Sequence, residues 1–235
     1  MISLVIPVYN EQEIIEDTIK TVRGFMDENF GSNYEVLFVN DGSRDKTQEI
    51  AGRFASDNIK IVSYEPNRGK GCAVRTGMLA ATGDLIFFTD CDLAYGLDII
   101  REGVSFLEQD KDAGILIGSR RKHKEGYASY TFTRKIMSSV FFTVLRVYGG
   151  IKQSDSQSGI KGFRREAAHK IFKLCETDGW SFDFEILLTA EKLGVKIIEM
   201  PAKIINHRAS KVNVLCDSIR MLRDISKIKK RVKKI

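Results

Sequence analysis

The segment that most constrains this chain is an apolar run that breaks off into two carboxylates, Leu85-Ile86-Phe87-Phe88-Thr89-Asp90-Cys91-Asp92. A strand covered on both faces reads as a continuous apolar run, which is the signature of a parallel sheet. The same grammar recurs upstream. Ile2 to Val8 runs into Tyr9-Asn10-Glu11, Glu35 to Val39 runs into Asn40-Asp41-Gly42-Ser43, and a third run spans Ile59 to Tyr64. Between the first two, Ile14, Ile15, Ile19, Val22 and Met26 recur at helical spacing, with Asn10 as the expected cap. Strand and helix alternating in this way predict an α/β fold, a Rossmann-like, mostly parallel sheet with crossover helices.

Ligands of such sheets bind beyond the carboxyl ends of the strands. Asp90 and Asp92 stand at i and i+2 and leave the sheet on the same side. Two adjacent carboxylates repel unless a cation lies between them or one takes up a proton. A hard divalent ion carrying substrate phosphate suits them, because Mg²⁺ takes one or two carboxylates together with phosphate oxygens. The bland alternative is a strand-end loop with two solvated aspartates. Lys70 stands between Gly69 and Gly71 where a helix opens, a favourable place for an anionic or polar group; the alternative there is a turn merely shaped by the two glycines.

Charge is placed unevenly. Residues 201–235 carry eleven Lys or Arg against two Asp, a net of +9, whereas the whole chain totals +6, which leaves residues 1–200 at −3. In the same tail Leu215, Ile219, Leu222, Ile225, Ile228, Val232 and Ile235 follow helical spacing. A basic amphipathic helix reads as a membrane-surface segment. The competing reading is a helix docked on its own domain. Nucleic acid is not expected as a partner, since the tail has no aromatic residues for stacking. A second apolar helix is expected over about 132–148. Its uncharged stretch, Ile136 to Leu145, is too short to span a bilayer and suits either the interface or the core. The division expected is a catalytic domain over 1–211 and a basic C-terminal helix over 212–235. Met1 leads directly into a strand without a basic n-region, so no signal peptide is expected. Cys72, Cys91, Cys175 and Cys216 show neither metal spacing nor a disulfide framework, which suits a reducing compartment.

Taken in order, Ile6-Pro7-Val8-Tyr9-Asn10-Glu11, Val39-Asn40-Asp41-Gly42-Ser43, Asn67-Arg68-Gly69-Lys70-Gly71, Asp90-Cys91-Asp92, Gly118-Ser119-Arg120, Asp155-Ser156-Gln157-Ser158-Gly159-Ile160-Lys161-Gly162-Phe163, Phe182-Asp183-Phe184-Glu185 and Ser210-Lys211-Val212 resemble glycosyltransferase family 2. Within it they resemble the polyprenyl-phosphate (dolichyl-phosphate) hexose synthases, over nearly the whole chain. The resemblance implies a GT-A type fold, a nucleotide-sugar donor, Mg²⁺ or Mn²⁺ as cofactor, a polyprenyl or dolichyl phosphate acceptor, and peripheral attachment to the cytosolic face of a membrane. It implies that Pro7, Tyr9, Asn10 and Glu11 frame the nucleotide, with Asp41 on the base and Lys70 beside it. Asp90 would face ribose and sugar, and Asp92, with Asp90, would hold the metal. Arg120 and Arg134 match phosphate-binding positions, with Ser138 one turn beyond Arg134. Arginine suits that task because its fork donates two hydrogen bonds in fixed geometry. Asp155, Gln157, Trp180, Asp183, Glu185 and Lys211 would border the sugar and acceptor. Asp183 and Glu185 could equally be helix-start charges.

Some mannose-transferring relatives carry a polar metal ligand where this chain has Ala94, which tilts the donor toward UDP-glucose, with GDP-mannose next. The expected reaction is in-line displacement with inversion. Another acceptor such as a glycan, or a non-catalytic membrane-associated scaffold, remain alternatives. A nucleotidyltransferase is disfavoured, because the loop after the first strand has neither glycine nor cation.

Overall fold

The structure is a computed structural model of the 235-residue chain and describes residues 1–127, 142, 143, 145–206 and 214–235, with side chains of the final helix described from residue 223 onward. Arg134, Ser138, Lys211 and most of the expected helix over 132–148 lie outside the described residues.

Seven strands form one sheet: β1 (Ile2–Val8), β2 (Tyr34–Asp41), β3 (Ile59–Tyr64), β4 (Leu85–Phe88), β5 (Ala113–Ser119), β6 (Lys161–Arg164) and β7 (Lys196–Pro201), in the order β3-β2-β1-β4-β6-β5-β7. All neighbours are parallel except β6, which runs antiparallel to both β4 and β5. The helices are α1 (Ile15–Phe30), α2 (Thr47–Gly52), α3 (Lys70–Ala80), α4 (Asp98–Gln109), α5 (Arg165–Phe172), α6 (Phe182–Lys192) and α7 (Val214–Val232).

Strand alternation sorts the core into two layers. Leu4, Ile6, Val36, Phe38 and Phe87 pack with Ile15, Ile19, Val22 and Met26 of α1 and with Ile100 and Leu107 of α4. Val5, Leu37, Val39, Ile86 and Phe88 pack on the other face with α3, α5, α6 and Ile225, Ile228 and Val232 of α7. The result is helices on both faces of a mostly parallel sheet.

One expectation is corrected here, and a second is decided for part of a helix. Asn10 does not cap α1, which opens at Ile15 after Ile14. The Asn10 backbone stands at φ 51°, its side-chain oxygen accepts from Arg44 N at 2.9 Å, and its own N–H donates to Ser43 Oγ at 3.0 Å. It staples the loop after β1 to the loop after β2. In the final helix, from residue 223 onward, the docked reading holds for three residues: Ile225, Ile228 and Val232 are buried in the domain core. For these three residues, docking on the sheet layer removes from water the surface that a bilayer would otherwise cover. Among the described residues no helix is long and apolar enough to cross a membrane.

Candidate active site

The chain builds β1, adds β2 and β3 outward on one side, then returns to place β4 on the other side of β1. The strand order therefore reverses between β1 and β4, the position at which sheets of this kind place their ligand crevice, outside the carboxyl ends of the strands. Tyr9, Asn10 and Glu11 follow β1, and Thr89 to Asp92 follow β4. Because β6 is antiparallel, the residues that precede it, 155–160, arrive at this same edge, and Lys161 pairs in register with Phe88.

The Asp90–Asp92 turn is tightly held. Leu93 has φ 49°, a conformation uncommon for a bulky residue, and its N–H donates to Asp90 O at 3.0 Å. Thr18 Oγ1 donates to Cys91 O at 2.9 Å, and Asn206 Nδ2 donates to Leu93 O at 3.1 Å. Asp92 Oδ1 accepts from Ala94 N at 3.1 Å. Burial and repulsion from Asp90 raise the Asp92 carboxyl above its ordinary value, against the opposing pull of the Ala94 N–H and Lys70. Gly159 packs directly on Asp90 Oδ2, where any Cβ would collide.

Lys70 makes an ion pair with Asp90, and its Nζ lies 5.5 Å from the Trp180 ring centroid. Burial depresses the Lys70 ammonium, but Asp90, Asp183 and Asp92 outweigh it and raise it overall. Behind it lies a pair that the sequence reading did not single out. Lys161 is fully buried, and its Nζ donates to Asp183 Oδ1 at 2.6 Å and to Ser158 O at 2.7 Å. Burial raises the Asp183 carboxyl even though Lys161 and Lys70 oppose it. Acidic and basic groups thus alternate from Asp90 through Lys70 and Asp183 to Lys161. The available signal for Lys161 was weak, a lysine set between Ile160 and Gly162-Phe163 at the start of a short strand; once buried it needs a partner, since lysine is almost never fully buried unless paired.

Other candidate residues have structural partners. Asp41 is buried and accepts from Asn67 Nδ2, Arg68 N and Gly69 N, each at 2.8 Å, so it organises the loop ahead of Lys70. The start of α3 is committed to protein: Gly71 N donates to Asp178 O at 2.7 Å and Cys72 N at 3.3 Å. Arg120 holds Asp155 with Nε and Nη2, both at 2.7 Å, and with its backbone N at 3.0 Å. Burial would raise the Asp155 carboxyl, but Arg120 holds it below its ordinary value. Gln157 Nε2, Ser156 Oγ and Thr89 Oγ1 are buried atoms with no hydrogen-bond partner among the described residues. Pro7 is the penultimate residue of β1, and Tyr9 stands exposed just beyond the strand's end. Glu11 N donates to Thr47 Oγ1 at 2.8 Å. Glu185 is fully buried and turned away from Asp183: its oxygens accept from Thr177 N at 2.7 Å, Glu176 N at 3.1 Å and Arg231.

The donor set fits a hard cation in part. Asp90 and Asp92 supply carboxylate oxygens, and no group of three or more His, Cys, Asp or Glu among the described residues makes an all-protein cage. That composition suits Mg²⁺ or Mn²⁺ held jointly with phosphate oxygens.

Comparison with known proteins agrees with this architecture. A dolichyl-phosphate beta-glucosyltransferase of Trichomonas vaginalis is 32% identical over 97% of this chain and 72% of its own length. The Saccharomyces cerevisiae dolichyl-phosphate beta-glucosyltransferase is 32% identical over 95% of this chain and 72% of its own, and the human one is 28% identical over 95% and 73%. Among solved structures, glucosyl-3-phosphoglycerate synthase from Mycobacterium tuberculosis in complex with UDP superposes with a TM-score of 0.70 at 21% identity, over 99% of this chain and 80% of that one. The same enzyme with Mn²⁺ and UDP-glucose gives 0.66 at 20% identity, over 99% and 79%. These neighbours share the GT-A-like fold. The family model described as glycosyl transferase family 2 matches residues 3–172, from the second residue of β1 to the end of α5, and with that match the chain belongs to glycosyl transferase family 2.

Proposed function

We propose that this chain transfers glucose from UDP-glucose to the phosphate of dolichol or a related polyprenol, with inversion at the anomeric carbon, as its similarity to dolichyl-phosphate beta-glucosyltransferases suggests. The observation that supports the reading is that Asp90 and Asp92 follow β4 at the strand-order reversal between β1 and β4, with Lys70 paired to Asp90 and Asp183 paired to Lys161. Asp92, with Asp90, would hold Mg²⁺ or Mn²⁺, and the bound ion would neutralise the diphosphate and make it a better leaving group. Lys70 supplies a further positive charge at the same edge. The buried polar atoms of Thr89, Ser156 and Gln157 suit the hydroxyls of a sugar.

The acceptor oxygen is ionised at neutral pH, so the step asks little of a general base. This agrees with Glu185, whose oxygens are engaged by the 176–177 backbone and Arg231. It leaves Asp183, held by Lys161, as a group that orients the sugar. By the family resemblance, Arg134 with Ser138 would hold the acceptor phosphate. Holding two phosphates close together, with their charge neutralised, provides most of the acceleration.

The test is transfer of radiolabelled hexose from UDP-glucose, GDP-mannose and UDP-N-acetylglucosamine to polyprenyl phosphate. UDP-glucose is expected to lead by roughly tenfold or more, the low end of what differential transition-state binding supplies. Excess chelator should abolish transfer, and added Mn²⁺ or Mg²⁺ should restore it. Preference for GDP-mannose would overturn the donor assignment. Full activity in chelator would overturn the metal assignment.

A further inference from the structure

The described end of α7 reaches the donor site through a continuous set of contacts. Arg231, in the last turn of α7, pairs with the fully buried Glu185 of α6. It also donates to Thr177 Oγ1 at 3.0 Å and to Glu176 Oε2 at 3.2 Å. Glu185 itself accepts from the backbone N–H groups of Glu176 and Thr177. Seven residues earlier on α7, Asp224 accepts from Ser181 Oγ at 3.1 Å. Both ends of the 176–181 loop are thereby tied to α7.

That loop shapes the wall of the site. Asp178 O caps the start of α3 by accepting from Gly71 N and Cys72 N. The Asp178 carboxylate accepts from Arg75 Nη2 at 2.5 Å and from Arg68 Nη2 at 3.2 Å. Gly69 and Gly71 lie so close to the Thr177–Asp178 backbone that no Cβ would fit at either. Lys70 stands between these two glycines, makes its ion pair with Asp90, and lies against Trp180 of the same loop. A shift of the 176–181 loop therefore moves Lys70 relative to Asp90.

We infer that Arg231 is a positioning residue for the donor site, acting through Glu185 and the 176–181 loop to set Lys70 against Asp90. The inference rests on the reading of this crevice as the nucleotide-sugar site. It gives the basic C-terminal helix a part in donor binding, whereas its apolar and charged pattern alone suggested a membrane contact separable from the donor loops.

The test uses the full chain. Removing Arg231 alone strands a buried carboxylate, which is strongly destabilising. The informative variants are therefore Arg231→Lys, which keeps the charge and loses the fork, and the double variant Glu185→Gln/Arg231→Gln, which removes both charges together. Lys192→Ala, an exposed cation on α6, is the control. Trp180 is the chain's single tryptophan and sits on the loop in question, so its emission reports both loop position and donor-site occupancy. Each protein is titrated with UDP plus Mn²⁺, monitored by Trp180 fluorescence and calorimetry, beside thermal melts and initial rates against UDP-glucose.

The double variant should melt cooperatively, shift the Trp180 emission, and weaken UDP binding and raise KM for UDP-glucose by roughly ten- to a hundred-fold, the scale of an ångström-sized misplacement. Turnover at saturating donor should fall less, Arg231→Lys should lie between, and Lys192→Ala should match the parent. Parent-like UDP affinity and KM in a folded double variant would overturn this inference alone, whatever its melting temperature. Failure of the parent chain to bind UDP would overturn the donor-site reading and this inference with it.

Discussion

Asp183 and Glu185 show how little local spacing says about the role of a carboxylate. They are two residues apart in the first turn of one helix, yet Asp183 meets Lys161 and Lys70 while Glu185 meets Arg231 and the 176–177 backbone. A helix turns about 100° per residue, so side chains at i and i+2 point to nearly opposite sides. Glu35 is a third buried carboxylate, and it is purely structural. It accepts from Ser3 Oγ at 2.6 Å, Thr82 N at 2.6 Å and Lys60 Nζ at 2.6 Å. Burial pushes its carboxyl up, but these donors outweigh it and bring it down from 4.5 to about 2. A depressed carboxyl adds stability above its unfolded value and loses it as pH falls toward the folded one. Glu35→Gln should therefore cost on the order of 2–3 kcal/mol near neutrality. The gap between parent and variant should close between pH 4.5 and about 2. Urea melts of both proteins at neutral and acid pH check this; a gap that does not change with pH would mean that Glu35 contributes only its packing.

At the scale of elements, β6 and α7 matter most for how the site is made. β6 is one short antiparallel strand inserted between parallel neighbours, and its direction brings residues 155–161 to the carboxyl edge instead of away from it. α7 closes the second core layer with Ile225, Ile228 and Val232. Burying three such side chains contributes roughly 1.5–3 kcal/mol each. Together that approaches the 5–15 kcal/mol that is the whole stability of an ordinary domain. Truncation after Lys211 should thus abolish cooperative unfolding, and donor binding should go with it. A truncated chain that melts within a few degrees of the full one would show that α7 is dispensable to the fold. The lysines Lys227, Lys230, Lys233 and Lys234 lie on the exposed side of the same helix, while Lys229 donates to Tyr148 O at 2.5 Å and Arg231 pairs inward.

Across the whole molecule, an acidic body ends in a basic helix that commits Ile225, Ile228 and Val232 of its apolar stripe to its own core and leaves Ile235 exposed. Any attraction of this helix to an anionic bilayer is then carried by exposed lysines at about 1 kcal/mol each, with little apolar insertion from the described part. Binding of the full chain to vesicles containing phosphatidylserine should be measurable at low salt. It should be largely lost near 1 M salt, where the screening length is about 3 Å. Sedimentation that persists at high salt would instead point to an inserted apolar segment. The sequence by itself determined the alternation of strands and helices, the strand ends that carry Tyr9 to Glu11, Asp41, Asp90 and Asp92, and the start of α3 at Lys70. All of these follow from periodicity and turn chemistry within a few residues. Only the tertiary structure decided which charges meet. Lys161 finds Asp183 22 positions away, Arg120 finds Asp155 35 away, and Glu185 finds Arg231 46 away. The destination of Ile225, Ile228 and Val232 on α7 was decided in the same way. A helical apolar period states that one face must be covered, and it is silent on whether lipid or the protein's own sheet layer covers it, because both remove the same surface from water.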